Sequence, residues 1–389
     1  MRLLHTSDWH LGRSFHGEDL LAAQASFIDH LLATVEAEQV DLVVVAGDVY
    51  DRALPPVDAV ALADETLHRL ASSRARVVIT SGNHDSPRRL GFNSRLIDLA
   101  GIHLRTDPET VDSPVVIDDE HGQVAVYGIP YLEPDVLTRR WSLPARSHHA
   151  VMQHATERIR ADLARRQAAR PGTRSVVLAH AFVAGGAASD SERDISVGGI
   201  SVVPTSAFDG FDYTALGHLH GRATLEETVR YSGSPLAFSF SESAHVKGSW
   251  LVDLGVDGVR ADFVEAPVPR ALARLRGTLE DLLIDPSLRD TESAWVEATL
   301  TDVARPAAAM ERLRARFPHC VALRFAPSDQ ALDAARTPTV GRSAHAITLD
   351  FVDHVRGGAA TEEEAALLRE ALECCPDDRD LVSELQVTR

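Results

Sequence analysis

The chain has 389 residues, of which 44% are hydrophobic and 25% charged, and its formal net charge at pH 7 is −18. This length allows two or three domains, and the composition is that of an ordinary globular protein, which excludes a largely disordered or collagen-like chain. The strong negative charge argues against broad basic surfaces for nucleic acid, so any phosphate contact would depend on local charge.

Cysteine usage and hydropathy indicate a reducing compartment. The three cysteines, Cys320, Cys374 and Cys375, have neither the number nor the spacing of a disulfide framework or a cysteine zinc site. The longest apolar runs, such as residues 42–46, fall far short of the roughly 18 residues that span a bilayer. The N-terminal residues also lack a signal-peptide pattern. We therefore expect a cytoplasmic protein without a membrane partner.

The first hundred residues predict alternating strands and helices. Apolar runs at 2–6, 42–46 and 77–80 indicate strands, and residues 20–38 and 57–71 have helical patterns between them. This β-α-β-α-β order is typical of a parallel sheet. Polar residues follow each predicted strand, at the end where α/β folds bind their ligands.

From residue 102 the pattern changes to one dominated by strands. Short strands are predicted between residues 102 and 132, followed by a helix at 150–166. Further strands are predicted at residues 175–179, 213–216, 228–231, 250–254 and 259–264. A proline-containing junction at 266–269 marks a boundary, so we predict a first domain over residues 1–268.

Two smaller regions are predicted beyond this junction. Strands at 295–300 and 321–325 flank a helix at about 307–316, which predicts a small α+β domain over residues 269–356.

The last region, residues 357–389, is predicted to be helical. Thr361 and Glu364 have the spacing of a capping box, and a second amphipathic stretch follows Pro376. This segment would either dock on its own chain or bind a partner.

Five short polar motifs follow predicted strands. They are Asp8-Trp9-His10, Gly47-Asp48-Val49-Tyr50-Asp51, Gly82-Asn83-His84-Asp85, His180, and Gly217-His218-Leu219-His220. Each motif alone is weak evidence for a metal site, because an isolated loop histidine more often makes hydrogen bonds to the protein than binds a metal ion. Residues two apart in an extended chain point to the same side, so such a pair can reach one ion. Because all five motifs follow predicted strands, we predict that together they form a metal centre.

The residue types restrict the chemistry of this centre. Asp, His and Asn ligands without cysteine favour manganese, iron or catalytic zinc. Two such ions that share a carboxylate hydrolyse phosphoesters, and Asp48 suits the shared position. Gly47 lets the backbone turn sharply into the site, and Gly82 and Gly217 can do likewise. The motifs therefore predict two-metal phosphoester hydrolysis.

The motifs resemble those of the calcineurin-like metallophosphoesterase superfamily at every ligand position. This resemblance implies an α/β fold, a two-sheet β-sandwich flanked by helices. It implies that one metal ion is held by Asp8, His10, Asp48 and His220. It implies that a second ion is held by Asp48, Asn83, His180 and His218. His84 would contact the scissile phosphate and help the leaving oxygen depart, as an acid or hydrogen-bond donor.

The flanking residues are similar to those of SbcD-type nuclease subunits of bacterial SbcCD complexes. The similarity runs over about residues 1–270 and is carried by residues 6–12, 81–86, 89–90, 197–199, 233–236 and 239–240. It implies a 3′-to-5′ exonuclease on double-stranded ends and an endonuclease on single-stranded and hairpin DNA, in DNA repair, recombination and replication. Manganese is the implied activator.

The same resemblance implies partners. The domain at 269–356 would cap the active site and recognise DNA, and residues 357–389 would bind an SbcC-type ATPase. A homodimer within a heterotetramer is also implied, with the helix after Arg88 near its interface.

The basic residues give local charge near the motifs. We predict that DNA phosphates are contacted by Arg13, Arg52, Arg88, Arg89 and Arg95. Lys247 is the only lysine among the 39 basic residues, which we attribute to coding bias rather than to function. Asp51 stands where some relatives have histidine, and we interpret it as a turn-stabilising carboxylate.

Two alternatives remain open from the sequence. The same metal chemistry could serve a phosphodiesterase or phosphatase for small molecules, although the segment after residue 270 favours the nuclease. A non-catalytic scaffold would be free to lose ligands, whereas this chain keeps all of them.

Overall fold

The computed structural model describes residues 1–193, 202–327, 342–356 and 358–374. The chain divides into two units, Met1–Leu272 and Ala273–Arg389. The predicted motif at 197–199 and the amphipathic stretch after Pro376 lie outside the described residues. The predicted boundaries at residues 268 and 356 stay predictions.

The first unit contains fourteen strands and six helices among its described residues. Its strands are β1 (Arg2–Thr6), β2 (Ser14–Phe15), β3 (Glu18–Asp19), β4 (Leu42–Ala46), β5 (Arg76–Thr80), β6 (Ile102–Arg105), β7 (Val115–Asp119), β8 (Gly122–Gly128), β9 (Arg174–His180), β10 (Tyr213–Gly217), β11 (Ala223–Glu226), β12 (Val229–Tyr231), β13 (Gly248–Leu254) and β14 (Val259–Glu265). Its helices are α1 (Leu21–Ala37), α2 (Val57–Ala71), α3 (Pro87–Leu90), α4 (Ser94–Ile97), α5 (Pro134–Arg140) and α6 (His148–Ala169).

Two six-stranded sheets make up most of this unit. The first has the order β14-β13-β1-β4-β5-β6, in which β1, β4, β5 and β6 are parallel and β13 runs antiparallel to both of its neighbours, β1 and β14. The second has the order β11-β12-β10-β9-β8-β7, with antiparallel strands only at its edges. Within each sheet the parallel strands therefore end at one common edge.

Alternation along the strands explains why the sheets form layers. In β1, Leu3 packs in a core shared by the two sheets, and Leu4 packs on the opposite face with helix residues such as Phe27. The outer face of the second sheet is covered in the same way, with Val177 packed among α6 residues that include Ile159. Strands covered on both faces are apolar throughout, as β4 is. The result is a two-sheet sandwich with helices outside, as predicted.

Most predicted elements are confirmed to within two or three residues. The predicted strands at 2–6 and 42–46 and the helix at 57–71 have their predicted bounds. The sequence reasoning missed the β2-β3 hairpin and β11, which are too short or too exposed to give an apolar pattern.

The second unit is a smaller α+β structure. Its elements are β15 (Leu272–Gly277), α7 (Leu279–Ile284), β16 (Trp295–Leu300), α8 (Ala309–Arg316), β17 (Cys320–Phe325), α9 (Ala344–Arg356) and α10 (Glu362–Glu373). The three strands form one sheet with β16 in the centre. Val296 and Leu313 belong to its buried core. The predicted capping box is confirmed, since Thr361 and Glu364 exchange both hydrogen bonds at the start of α10.

In the described part of the chain, no helix combines the length and the apolarity needed to cross a bilayer.

Candidate metal centre

The ends of the parallel strands in both sheets carry the predicted ligands to one place. Asp8 and Asp48 follow β1 and β4 in the first sheet, and His180 and His218 lie at the ends of β9 and β10 in the second. Hydrogen bonds join the two sheets directly here. His180 Nδ1 donates to the Ala46 carbonyl at 2.9 Å, and the His218 backbone N–H donates to Asp8 Oδ1 at 3.0 Å.

Three side chains form what we call the first cluster, namely Asp8, His10 and His220. They are buried, and each offers a ligand atom within 4.8 Å of the others. The Nε2 atoms of His10 and His220 are 3.1 Å apart. Asp48 adjoins this cluster, because its Oδ2 is 3.6 Å from His10 Nε2.

Three further side chains form the second cluster, namely Asn83, His180 and His218. Asn83 Oδ1 lies 2.8 Å from His180 Nε2 and 3.2 Å from His218 Nδ1. Asp48 Oδ2 is 3.4 Å from His180 Nε2. Asp48 therefore lies between the two clusters, where its carboxylate could contact an ion in either of them.

The donor chemistry fits divalent metal ions. Carboxylate oxygens, an amide oxygen and imidazole nitrogens are the donors that Mn²⁺, Fe²⁺ and Zn²⁺ accept. His10 Nδ1 is buried without a hydrogen-bond partner, whereas its Nε2 faces the other ligands. Burial raises the pKa of Asp8 to about 6, so a bound cation would favour the ionised carboxylate.

The backbone at the ligands is strained. Asp8, His10, Asp48 and His218 all have positive φ angles, of 53°, 45°, 49° and 104°. Each such conformation costs on the order of 1–3 kcal/mol in a residue other than glycine and persists only where the surroundings impose it. Four of them at one place are typical of a functional site.

Three glycines in the motifs are required by the close approach of the strand ends. A Cβ on Gly217 would lie 1.9 Å from the Ala46 carbonyl oxygen. Gly47 has a φ of 86°, and a Cβ there would lie 2.3 Å from His180 Nδ1. A Cβ on Gly82 would lie 2.1 Å from Asp48 Oδ1. Any larger residue would separate the strand ends that hold the ligands.

His84 lies beside both clusters and is held at two points. Its backbone N–H donates to Asp48 Oδ1 at 2.8 Å, and its ring Nδ1 donates to the Asp51 carbonyl at 2.7 Å. Its Nε2 is therefore left toward the site, 4.0 Å from Asp48 Oδ2. Burial lowers the pKa of His84, and the nearby Asp48 carboxylate opposes that effect.

Asp85 is a site residue to which the sequence reasoning gave no role. Its carboxylate accepts backbone N–H bonds from Val49, Tyr50 and Gly82, at 3.1, 2.9 and 2.9 Å. It thereby ties the loop after β4 to the loop after β5. Burial, and the neighbouring Asp48, raise its pKa to about 7. The sequence feature that could have indicated a role for Asp85 is its position in the Gly82-Asn83-His84-Asp85 motif.

A second group missed from the sequence surrounds His220. It consists of Ser191, Glu192, Glu242 and Lys247. Glu192 Oε1 accepts the His220 backbone N–H at 2.7 Å, and Ser191 Oγ lies 2.5 Å from His220 Nδ1. These residues are distant from His220 in sequence. The one sequence feature that could have drawn attention to them is the isolated lysine.

The structure separates the five predicted DNA-binding arginines. Arg13 is mostly buried: its Nη2 donates to the Ser191 carbonyl at 2.8 Å, and its guanidinium lies over the Phe238 ring. Arg52 is exposed, 3.6 Å from Asp51. Arg89 donates to the Ala53 carbonyl. Arg88 and Arg95 are exposed on the segment after the His84 motif.

The Asp51 carboxylate faces cations and a ligand. Its Oδ1 is 3.7 Å from Arg13 Nε and 3.8 Å from His10 Nδ1. Together with the carbonyl that holds His84, these positions fit a residue that stabilises the loop around the site.

Comparisons with known proteins agree with this centre. Residues 1–222 match the family model described as calcineurin-like phosphoesterase. Residues 268–348 match the model described as type 5 capsule protein repressor C-terminal domain. The chain is 30% identical over 325 residues to the SbcD component of the SbcCD nuclease from Staphylococcus saprophyticus, which covers 83% of this chain and 84% of that protein.

The solved structures that resemble this chain have low sequence identity and low TM-scores. A dimetal phosphatase from Danio rerio is 15% identical with a TM-score of 0.44, covering 69% of this chain and 97% of that one. An archaeal phosphodiesterase is 10% identical with a TM-score of 0.28, covering 68% of this chain and 100% of that one. The family assignment therefore rests on the sequence matches. By these matches the chain belongs to the calcineurin-like phosphoesterases, which makes it a metal-dependent phosphodiesterase, and within them to the SbcD nuclease subunits.

Proposed function

We propose that this chain acts in an SbcCD-type DNA repair complex and hydrolyses DNA phosphodiester bonds at the centre described above. The observation that supports this most directly is the meeting of strand ends from both sheets, which places the first and second clusters on either side of Asp48 with His84 beside them. In two-metal hydrolysis the ions lie roughly 3.5–4 Å apart, and a carboxylate between two ligand sets could bind both of them.

The ligand assignment follows from the clusters. The first cluster and Asp48 would hold one divalent ion, and the second cluster and Asp48 the other. When bound, the two ions supply a nucleophilic water and neutralise charge on the phosphate. The mixture of carboxylate, amide and imidazole donors suits Mn²⁺.

His84 would act on the substrate rather than on a metal. Its Nδ1–H is committed to the Asp51 carbonyl, so the Nε2 atom is the one that faces the phosphate. After taking up a proton, Nε2 would donate it to the leaving oxygen. Arg13, Arg52, Arg88, Arg89 and Arg95 would supply positive charge to the DNA backbone near this site.

The proposed reactions are 3′-to-5′ exonuclease cleavage at double-stranded ends and endonuclease cleavage of single-stranded and hairpin DNA. With a net charge of −18, the isolated chain would bind duplex DNA weakly, because affinity for DNA depends on cationic side chains. Much of the affinity would then come from the SbcC-type ATPase. ATP turnover would couple to cleavage through that partner.

The remaining regions would serve recognition and assembly. We propose residues 1–268 as the nuclease domain, 269–356 as a capping domain for DNA, and 357–389 as the segment that binds the ATPase. A homodimer is supported by exposed apolar side chains on and beside α4, where Phe92, Leu96 and Leu99 are 71%, 64% and 85% exposed. Free cysteines at positions 320 and 374 fit a reducing compartment such as the cytoplasm.

The test is Mn²⁺-dependent cleavage of an end-labelled hairpin duplex by the purified chain, with and without the ATPase and ATP. Asp48→Ala serves as the blank. We expect cleavage that the ATPase and ATP increase. Hydrolysis of bis(p-nitrophenyl) phosphate without DNA cleavage under either condition would contradict the DNA substrate and favour a small-molecule phosphodiesterase.

A further inference from the structure

Lys247 occupies a buried site with three acceptors. Its ammonium donates to the His220 carbonyl at 2.8 Å, to Ser234 Oγ at 2.9 Å and to Glu242 Oε2 at 2.5 Å. The side chain is 6% exposed and that of Glu242 is fully buried. An ammonium has three N–H donors, so every one of them is used.

A chain of hydrogen bonds leads from this lysine to the ring of His220. The other oxygen of Glu242, Oε1, accepts from Ser191 Oγ at 2.5 Å, and Ser191 Oγ lies 2.5 Å from His220 Nδ1. Arg13 Nη2 donates to the Ser191 carbonyl at 2.8 Å and holds that loop in place.

The donors and acceptors of this chain determine the state of the His220 ring. Ser191 has one hydroxyl proton, and an ionised Glu242 can only accept, so Ser191 donates to Glu242. Ser191 must then accept from His220, which places the ring proton on Nδ1. The Nε2 atom is left without a proton, and it is Nε2 that faces His10 in the first cluster.

We propose that Lys247 is a positioning residue for the metal ion of the first cluster. By pairing with Glu242 it orients that buried carboxylate, and through Ser191 it holds His220 in the tautomer that offers Nε2 to the ion. Its bond to the His220 carbonyl fixes the backbone of the same ligand. This inference rests on the proposed metal site, and groups behind metal-ligating histidines commonly set tautomer and affinity in this way.

The geometry requires lysine rather than arginine. A guanidinium is planar and presents its donors as a fork, whereas the three acceptors here surround a single point. All other basic side chains among the 39 are arginines, so the lysine stands against the compositional bias of the chain. The coding bias to which we attribute the reliance on arginine does not account for a lysine at this position.

The experiment measures Mn²⁺ binding to the full chain by electron paramagnetic resonance, starting from EDTA-treated protein. The variants are Lys247→Arg and Ser191→Ala. Arg174→Lys is the matched control, because Arg174 is also a buried cation paired with a carboxylate, Asp119, but it begins β9, whereas His180 ends that strand. We expect Lys247→Arg to weaken one of two Mn²⁺ sites by about 10- to 100-fold, with the other site and the control unchanged.

A second readout separates positioning from loss of fold. In metal-free protein with ¹⁵N-labelled histidine, Lys247→Arg and Ser191→Ala should both move His220 away from the Nδ1–H tautomer, and circular dichroism should stay that of the wild type. If Lys247→Arg does not fold, Ser191→Ala decides alone, because it removes only a hydroxyl. Wild-type affinity and tautomer in Ser191→Ala, or in a folded Lys247→Arg, would overturn the inference. A wild-type chain that binds no Mn²⁺ would instead overturn the proposed function.

Discussion

The interior of β1 and the strand ends at the metal centre use buried histidines in different ways. His5, inside the strand, has both ring nitrogens occupied by protein groups: Nδ1 is 2.9 Å from Tyr213 Oη and Nε2 is 3.1 Å from the Leu216 carbonyl. His180 and His220, at the same edge as the end of β1, each have Nδ1 anchored by an oxygen atom. The Nε2 atom of His180 faces Asn83 Oδ1 and Asp48 Oδ2, and that of His220 faces His10.

The difference shows how to distinguish a structural histidine from a ligand. Both kinds are buried, so burial alone does not separate them. The chemical nature of the ring's neighbours does separate them. His5 contacts a phenol and a backbone carbonyl and serves packing, whereas His180 and His220 each turn one nitrogen toward carboxylate, amide or imidazole donors that could bind the same ion. The following predictions test this distinction, from the largest expected effect to the smallest.

Asp48→Ala should cause the largest loss, because Asp48 is shared by both clusters. Metal ions supply several kcal/mol of transition-state stabilisation and each 1.36 kcal/mol is tenfold in rate, so we expect a loss of at least about 10⁴-fold in hairpin cleavage. The same variant should bind neither Mn²⁺ ion tightly in an EPR titration. Retention of both ions with normal affinity would show that the clusters do not share this carboxylate.

His84→Gln should separate catalysis from metal binding. We expect cleavage to fall by about 10²- to 10⁴-fold, the usual contribution of a general acid, because the ring Nε2 is lost. Mn²⁺ binding should stay at the wild-type level in the same preparation: although His84 lies close enough to His10 and Asp48 to share an ion with them, we propose that it faces the phosphate. Wild-type cleavage by this variant would remove His84 from the chemistry.

Mn²⁺ should stabilise the fold by binding the histidines at the strand ends, such as His180 and His220. At a metal concentration 100 times Kd, the free energy of unfolding should rise by about 2.7 kcal/mol for each site, measured by urea unfolding with Mn²⁺ against EDTA. Tyr213→Phe is the comparison, because it disturbs His5 and leaves the clusters intact. It should lower stability in EDTA yet keep the full increment from Mn²⁺. Loss of that increment in Tyr213→Phe would contradict the division between the two kinds of histidine.

The smallest effect concerns the pH dependence contributed by His5. Burial lowers the pKa of His5 to about 3, whereas an unfolded histidine has a pKa of about 6.5. Below pH 6.5 the unfolded chain therefore takes up a proton that the native ring refuses, and stability falls as pH decreases toward 3. By pH 5 this costs about 2 kcal/mol, at about 1.36 kcal/mol for each pH unit.

The measurement compares wild type with His5→Gln in EDTA by urea unfolding at pH 7.5 and pH 5. The stability difference between the two proteins should shrink by about 2 kcal/mol at the lower pH. The exposed His121→Gln serves as the control. An unchanged difference between wild type and His5→Gln would show that His5 is not held neutral by its burial.

How far the sequence could predict this molecule depended on the range of the interactions. The bounds of β4 were predictable because a strand covered on both faces is apolar throughout. The meeting of the proposed ligands at one place was predictable because strand ends gather polar side chains at one edge. The β2-β3 hairpin escaped because each of its strands has only two residues.

The supporting residues escaped for a different reason. Glu242 and Lys247 act on His220 only through contacts that span more than twenty residues, and no local pattern carries such contacts. Asp85 was visible within a motif, but its three backbone acceptor bonds depend on how two loops meet. Sequence reasoning thus reached the proposed ligands and stopped at the groups that orient them.

The register of β1 has a consequence for synthesis of the protein. β1 lies between β4 and β13, and its residues Arg2–His5 pair with Trp250–Asp253. β1 thus completes its pairing only after some 250 further residues have been made, and loop closure over such a separation is slow. Asp8 and His10, which follow that strand, are synthesised long before His218 and His220. For most of its translation a nascent chain therefore has only part of the proposed metal centre, which is completed once the second sheet has been synthesised.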